Sequence, residues 1–416
     1  MLEKRRFFII FRNFNTQLPL MRGGLFLSNQ NGSIRVSNSM RILDLLIDKE
    51  LSRVELAYET GLTKTTIGEI VREFLEIGFI EESKNFPTGV GRPSINLKIA
   101  KDFANVIGVG ILRDNVNGCI INAQGDVLYT ASCSFSEGKP KIETVYEVID
   151  NLISKVALTK GKVEAIGLGV PGPLDTEKGI IKKPPKLSGF DNFPIIDSIK
   201  KRYNVFACLE NDADMGAIGE KYYGKGKGLS SFIYILYDKG IGSGVVINNN
   251  LYHGLYGYAG EIGQTPLLKD GKFEYFENEY GTDSIIRKVS NIISRPIKNF
   301  QELETLSNVE RNEIKGFIKE LSEHFAVIIL SLIYYFGISN IFIDGRMKYL
   351  GSDFLDQLID IVRTLIFHEH EIQISLSDLG EYAISLGAAK FGLIKYLKKR
   401  VVEYLQEHNN RYFIEI

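Results

Sequence analysis

The chain has 416 residues, of which 44% are hydrophobic and 24% charged, and its formal net charge is -1. That length suits two or three domains with separate cores, and the even charge balance excludes a global field for nucleic acid. Cys119, Cys133 and Cys208 are odd in number and far apart, which excludes a disulfide framework, and no apolar run approaches a membrane span; a reducing cytoplasm is expected.

Residues 1–37 show no sustained period and read as an undetermined extension. Its Phe7-Phe-Ile-Ile-Phe11 run is too short for the core of a signal peptide, and either Met1 or Met21 suits a start. Residues 38–100 read as a small DNA-binding domain, an α+β winged helix-turn-helix. Met40, Ile42, Leu43, Leu45, Leu46 and Ile47 give an apolar-faced helix, and Ser52-Arg-Val-Glu55 is a capping box that opens a second. Gly61 ends that helix and Thr63 caps a third, with Ile67, Ile70, Val71, Phe74 and Leu75 inward. Helix, glycine turn, helix is the helix-turn-helix pattern, so Lys64, Thr65, Thr66 and Arg72 are expected on DNA. Strands at 79–82 and 95–99 flank Gly89-Val-Gly91-Arg92-Pro93, a wing whose Arg92 can enter a minor groove. Residues 1–98 hold 14 Lys and Arg against 11 Asp and Glu, and the remainder 36 against 40, a weak local excess. An idle three-helix module with a hairpin is the competing reading.

Residues 101–416 change character. A buried strand at 106–112, a hairpin across Asn122-Ala-Gln-Gly125, an amphipathic helix at 142–158 and a second buried strand at 163–170 indicate an α/β sheet. A similar unit begins at residue 231 and continues through Gly240-Ile-Gly-Ser-Gly244. Two like halves imply a cleft between them. Glu210-Asn-Asp-Ala213 follows a short buried strand and precedes a helix expected at 217–223, a place where α/β sheets bind ligands. A carboxylate and an amide there can grip a polyhydroxylated molecule; Asn-Asp as a plain helix cap is the other reading.

These motifs, with Gly167-Leu-Gly-Val-Pro-Gly-Pro173 and Gly257-Tyr-Ala-Gly-Glu-Ile-Gly263, together resemble the ROK family (repressors, open reading frames and kinases) over residues 38–400. The resemblance implies an actin-like/hexokinase-like two-lobed α/β fold, a sugar in the cleft, and a homodimer or dimer of dimers. It places Gly172, Asn211, Asp212, Glu261 and Gln264 at the ligand, with Asp212 at the position of the kinases' general base. A further Glu falls among Glu277, Asn278 and Glu279.

Departures from the family pattern favour its repressor branch, whose members answer to sugars such as xylose and N-acetylglucosamine. The first phosphate loop reads Gly110-Ile-Leu-Arg-Asp114, without the kinases' Asp and paired glycines. The second reads Asp238-Lys-Gly240 and the nucleotide-side glycines Asp344-Gly-Arg346, so ATP binding and catalysis are not expected. Family members with zinc carry a His where Gln264 stands and then cysteines, which residues 269–284 lack; no zinc or other cofactor is expected, and Phe273, Tyr275, Phe276 and Tyr280 are expected to pack in its place. His368 and His370 read as a strand edge. The expected protein is a repressor whose grip on a palindromic operator changes with a sugar effector. A repressor answering to a non-sugar ligand or a partner protein is the alternative, with a sugar kinase behind it.

Overall fold

Ser52 and Glu55 form the reciprocal cap their spacing predicts: the Ser52 side chain accepts the Glu55 N–H and the Glu55 side chain accepts the Ser52 N–H. The helix so opened, Arg53–Thr60, ends at Gly61 with φ +68°, a conformation glycine adopts without strain. Thr63 caps the next helix, Lys64–Glu76, whose Ile67, Ile70, Val71 and Phe74 are buried. The computed structural model describes residues 30–84, 95–158, 161–185, 187–269, 271–367 and 371–408. Arg92 and the wing tip, the Phe7–Phe11 run, His368 and His370 lie outside the described residues.

The first helix is longer than its periodicity suggests, Gln30–Asp48. Asn31, Ser33, Asn38 and Ser39 hide its beginning from a propensity reading, and tertiary contacts hold it: Val36 and Ser39 are buried, and Arg35 pairs with Glu69 and Glu73. Strands Ile80–Lys84 and Ile95–Ile99 form the expected antiparallel pair. Leu51–Ser52 adds a third strand that its two residues could not announce.

Two five-stranded sheets make the two lobes. In the first, Phe206–Asn211, Val163–Val170, Asn105–Ile111, Asn115–Asn122 and Val127–Ser134 lie side by side in that order. In the second the order is Asn250–Leu251, Ile241–Ile247, Phe232–Tyr237, Asn340–Gly345 and Gln373–Leu376. Each sheet has a meander beside parallel strands, as the duplicated pattern predicts.

Helices Asp212–Tyr223 and Ala383–His408 run between the lobes, and glycines let them approach without side chains intervening. A Cβ on Gly108 would lie 1.9 Å from the Ser385 carbonyl oxygen, and one on Gly167 2.0 Å from that of Ala388, so the long C-terminal helix rests on the strand backbones. A Cβ on Gly387 would lie 1.7 Å from the Met215 carbonyl oxygen, and one on Gly219 2.2 Å from that of Ala383, so the two helices touch the same way. Among the described residues no helix is long and apolar enough to cross a membrane.

Gly387→Ala is expected to destabilise the protein by about 3 kcal/mol, because backbone must move to admit the methyl. Gly316→Ala, inside helix Asn308–Phe336 with nothing within 4 Å of the new Cβ, should stabilise it by about 0.5–1 kcal/mol. Urea denaturation of the two variants checks both signs.

Candidate functional site

Strand Phe206–Asn211 ends where helix Asp212–Tyr223 begins, five residues earlier than the expected start at residue 217. Asn211 is the cap: its Oδ1 accepts the Ala213 N–H at 2.9 Å, and Asp212 Oδ1 accepts the same N–H at 2.9 Å. The capping role weighed in the sequence is therefore real for Asn211, yet it uses only the amide oxygen. The Asn211 Nδ2 lies beside Gly172, where a Cβ would stand 3.4 Å from it.

The opposite wall comes from the second lobe. Gly260, at φ +86°, packs its Cα so closely that a Cβ would meet the Ser243 carbonyl oxygen at 1.9 Å; Ser243 N–H donates to the Gly260 carbonyl at 2.8 Å. This pairing pins the loop that carries Glu261. Gln264 follows on the short helical turn Ile262–Gln264 and is exposed. Of the three candidates at 277–279, Glu277 turns toward this wall: its Oε2 accepts the Ile241 N–H at 2.9 Å. Glu279 instead pairs with Lys269 and Lys288 at 3.1 and 2.7 Å, and Asn278 is exposed.

Carboxylates crowd this cleft, and their protons are held accordingly. Burial pushes Asp212 up to about 6, against the pull of Arg113, with Asp238 and Asp214 adding repulsion. Glu261 is raised by desolvation, then by Asp212, Glu277 and Asp214. An acid poised near neutrality can either donate to or accept from a ligand hydroxyl. One further group carries no motif that marks it: His253, whose Nδ1 lies 3.3 Å from Asp214 Oδ2, with Glu210 alongside. The Asp214 contact raises the His253 pKa, so an imidazolium there offsets two carboxylates; its signal in the sequence is only a His within the glycine-rich turn after residue 250.

The stretches at 110–114, 238–240 and 344–346 meet one another. Asp114 accepts from Lys239 at 2.5 Å and from Arg346 at 2.6 Å, and Arg346 Nε reaches Asp238 at 2.6 Å. Arg113 lies across Gly240, where a Cβ would come 2.2 Å from its guanidinium nitrogen. Asp344 is buried, accepts the Tyr234 hydroxyl at 2.6 Å, and is pushed up to about 6 by burial. First-lobe and second-lobe side chains thus fill the space between the three loops with their own ion pairs.

Where the sequence expects aromatic packing at 273–280, the structure divides the four residues. Phe276 and Tyr280 are fully buried and meet at a tilt in the second lobe's core, whereas Phe273 and Tyr275 are 75% and 50% exposed on the hairpin formed by Pro266–Lys269 and Lys272–Tyr275. Strand Lys272–Tyr275 is exposed on both faces, which accounts for the outward pair. Of the residues expected on DNA, Lys64, Thr65 and Arg72 are exposed; Thr66 is half-buried, its hydroxyl 2.9 Å from that of Thr63.

Two similar sheet lobes around a polar cleft define the actin-like/hexokinase-like class. Residues 106–393 match the ROK family, and the chain belongs to it. A xylose repressor of Caldicellulosiruptor bescii is 27% identical over 375 residues, which cover 84% of this chain and 94% of that protein. Among solved structures, a ROK family transcriptional regulator, a homolog of the E. coli MLC protein, superposes with a TM-score of 0.73 at 20% identity, over 90% of this chain and 99% of its own. The ROK hexokinase of Thermus thermophilus superposes with a TM-score of 0.61 at 22% identity, over 70% and 98%. These two likenesses establish the fold.

A carboxyl pKa raised in the folded state means that the native protein binds this proton more tightly than the unfolded chain. Its contribution to stability is full below about pH 4 and is lost as pH rises through about 6. Asp212→Asn is therefore expected to exceed the wild type in stability by about 1–3 kcal/mol at pH 8, with the gap closing by pH 4. Parallel urea titrations at the two pH values measure it.

Proposed function

We propose that this protein is a cytoplasmic transcriptional repressor of sugar-metabolism genes, in which a sugar seated in a former kinase cleft changes the grip on operator DNA. What supports this reading is the cluster of Asn211, Asp212 and Glu261 beside loops whose charged side chains pair with one another. Gly172, Asn211, Asp212, Glu261, Gln264 and Glu277 present hydroxyl-binding groups, while Asp114, Lys239, Arg346 and Asp238 occupy one another where a polyphosphate would need open backbone. A nucleotide would have to break three ion pairs and displace Arg113 from Gly240. Catalysis is not assigned, and Asp212 is a vestigial base. Zinc is not assigned either, since Gln264 and the aromatic hairpin supply neither thiolate nor imidazole.

Residues 38–100 serve in this proposal as a winged helix-turn-helix behind the 1–37 extension, with 101–416 as the sensing and dimerising part. Lys64, Thr65, Thr66, Arg72 and the wing's Arg92 contact DNA. Phosphate contacts supply most of the affinity and position the helix. A homodimer, or dimer of dimers, sets two such helices about one duplex turn apart and so reads a palindrome. The likeness to a xylose repressor makes D-xylose the first sugar to try.

D-xylose at 100 times its dissociation constant should stabilise the wild type by about 2.7 kcal/mol, and Asp212→Ala should show no shift. ATP with magnesium should shift neither. A sugar panel without any response would transfer the cleft to a non-sugar ligand or protein partner, and phosphorylation of a hexose would overturn the proposal. In gel shifts with DNA upstream of the gene, Arg72→Ala and Arg92→Ala should each weaken binding and lower the salt slope by about 1 if they meet phosphate.

A further inference from the structure

The cleft and the DNA-binding helices are joined by one uninterrupted helix. Asp212–Tyr223 is 12 residues long, about 18 Å from end to end. Its first turn is capped by the same side chains, Asn211 and Asp212, that face the cleft. Any ligand that engages these groups therefore acts on the helix's own N-terminal hydrogen bonds. At the other end the Tyr222 hydroxyl donates to Asp48 Oδ1 at 3.1 Å, and Asp48 is the last residue of helix Gln30–Asp48.

That junction is tightly built. Lys390, 4% exposed, places its Nζ 4.6 Å above the Tyr222 ring and 3.4 Å from the Ile47 carbonyl oxygen. A cation there complements the negative end of helix Gln30–Asp48. Lys398 adds a 2.7 Å pair to Asp44 on the same helix. Lys390 and Lys398 both belong to helix Ala383–His408, which meets Asp212–Tyr223 backbone to backbone at Gly219 and Gly387. With no side chains between them to repack, the two helices move as one block.

Helix Gln30–Asp48 continues the connection. Arg35 near its start pairs with Glu69 at 3.2 Å and Glu73 at 2.5 Å, both on Lys64–Glu76. Arg41 also donates to the Thr60 carbonyl at the end of the preceding helix. A shift at Asp48 is thus delivered to the helix that carries Lys64, Thr65 and Arg72.

We propose that helix Asp212–Tyr223 is the lever by which cleft occupancy reaches the DNA-binding helices, and that the Tyr222–Asp48 contact gripped by Lys390 is its joint. This deepens the repressor reading and rests on it. Tyr222 and Lys390 are positioning residues: neither touches sugar nor DNA, and what they control is the coupling between the two sites.

The test uses the full chain as wild type, Tyr222→Phe and Lys390→Met, with D-xylose and the upstream DNA fragment as probes. In the wild type, D-xylose should change DNA affinity by a factor of about 5–150. Both variants should keep the wild-type affinity for D-xylose and, without sugar, for DNA, while the factor falls toward 1. A second measurement needs no ligand: hydrogen exchange in residues 44–48 and 64–76 should respond to Asp212→Asn in the wild-type background and not in Tyr222→Phe. An unchanged coupling factor, or an exchange response that survives Tyr222→Phe, overturns the lever. Should the wild type take up neither D-xylose nor the fragment, the repressor reading fails by itself, and the exchange experiment alone decides the lever.

Discussion

The contact on which the architecture depends is the seating of helix Ala383–His408 directly on strand backbone. Gly108 and Gly167 remove the side chains that would hold the helix off the first sheet, and Gly387 and Gly219 do the same toward helix Asp212–Tyr223. Side-chain layers can repack by changing rotamers, but main chain against main chain has no such freedom. The position of the cleft floor, helix Asp212–Tyr223, is consequently fixed by the C-terminal helix, which begins 171 residues further along the chain. The same helix reaches Asp44 and Ile47, so the floor and the N-terminal helices share one rigid reference.

Across the cleft a different kind of bond operates. Asp114 comes from the first lobe, and Lys239 and Arg346 come from the second, so their ion pairs link the lobes by charge beside the apolar cluster of Met215, Ile384, Tyr234 and Phe342. Arg346 is the centre of the set, because it serves Asp114 and Asp238 at once, and a guanidinium can satisfy two carboxylates from one planar fork. Asp238 is 7% exposed and relies on that cation most. Removing Arg346 would strip the buried Asp238 of its ion-pair partner, which costs more than the pair itself contributes.

Much of the fold could be read from residue order. Caps at Ser52 and Thr63, the left-handed glycines at 61 and 78 and the apolar stripe from Ile67 to Phe74 are local signals, and the structure follows them closely. The reading faltered where tertiary contact outweighs propensity. Helix Gln30–Asp48 begins among Asn and Ser residues because Arg35 and Val36 find partners far along the chain. Helix Asp212–Tyr223 begins at Asp212 because Asn211 and Asp212 cap it, and reading these residues as ligand-binding groups disguised a helix start. Between the lobes, the stretches at 110–114, 238–240 and 344–346 were visible one at a time. That Asp114, Lys239 and Arg346 meet was not, since such pairing depends on the sheet order of both lobes. The choice of Glu277 over Glu279 likewise required knowing which side of one short helix faces Ile241.

The hairpin that carries Phe273 and Tyr275 has a consequence for how the protein behaves in a crowded solution. Among the described residues its two strands, Pro266–Lys269 and Lys272–Tyr275, pair only with each other, and Leu268 and Phe273 are 66% and 75% exposed. A sticky ribbon with open edges invites stacking with its like. Here Pro266 withholds a backbone donor at one end, while Lys269 and Lys272 face each other beside the turn and Glu274 divides the aromatic rings. Lys269 is tied down by Glu279 and Glu320, which leaves Lys272 as the charge at the tip, and that charge with Pro266 makes the ribbon a poor template for an identical one.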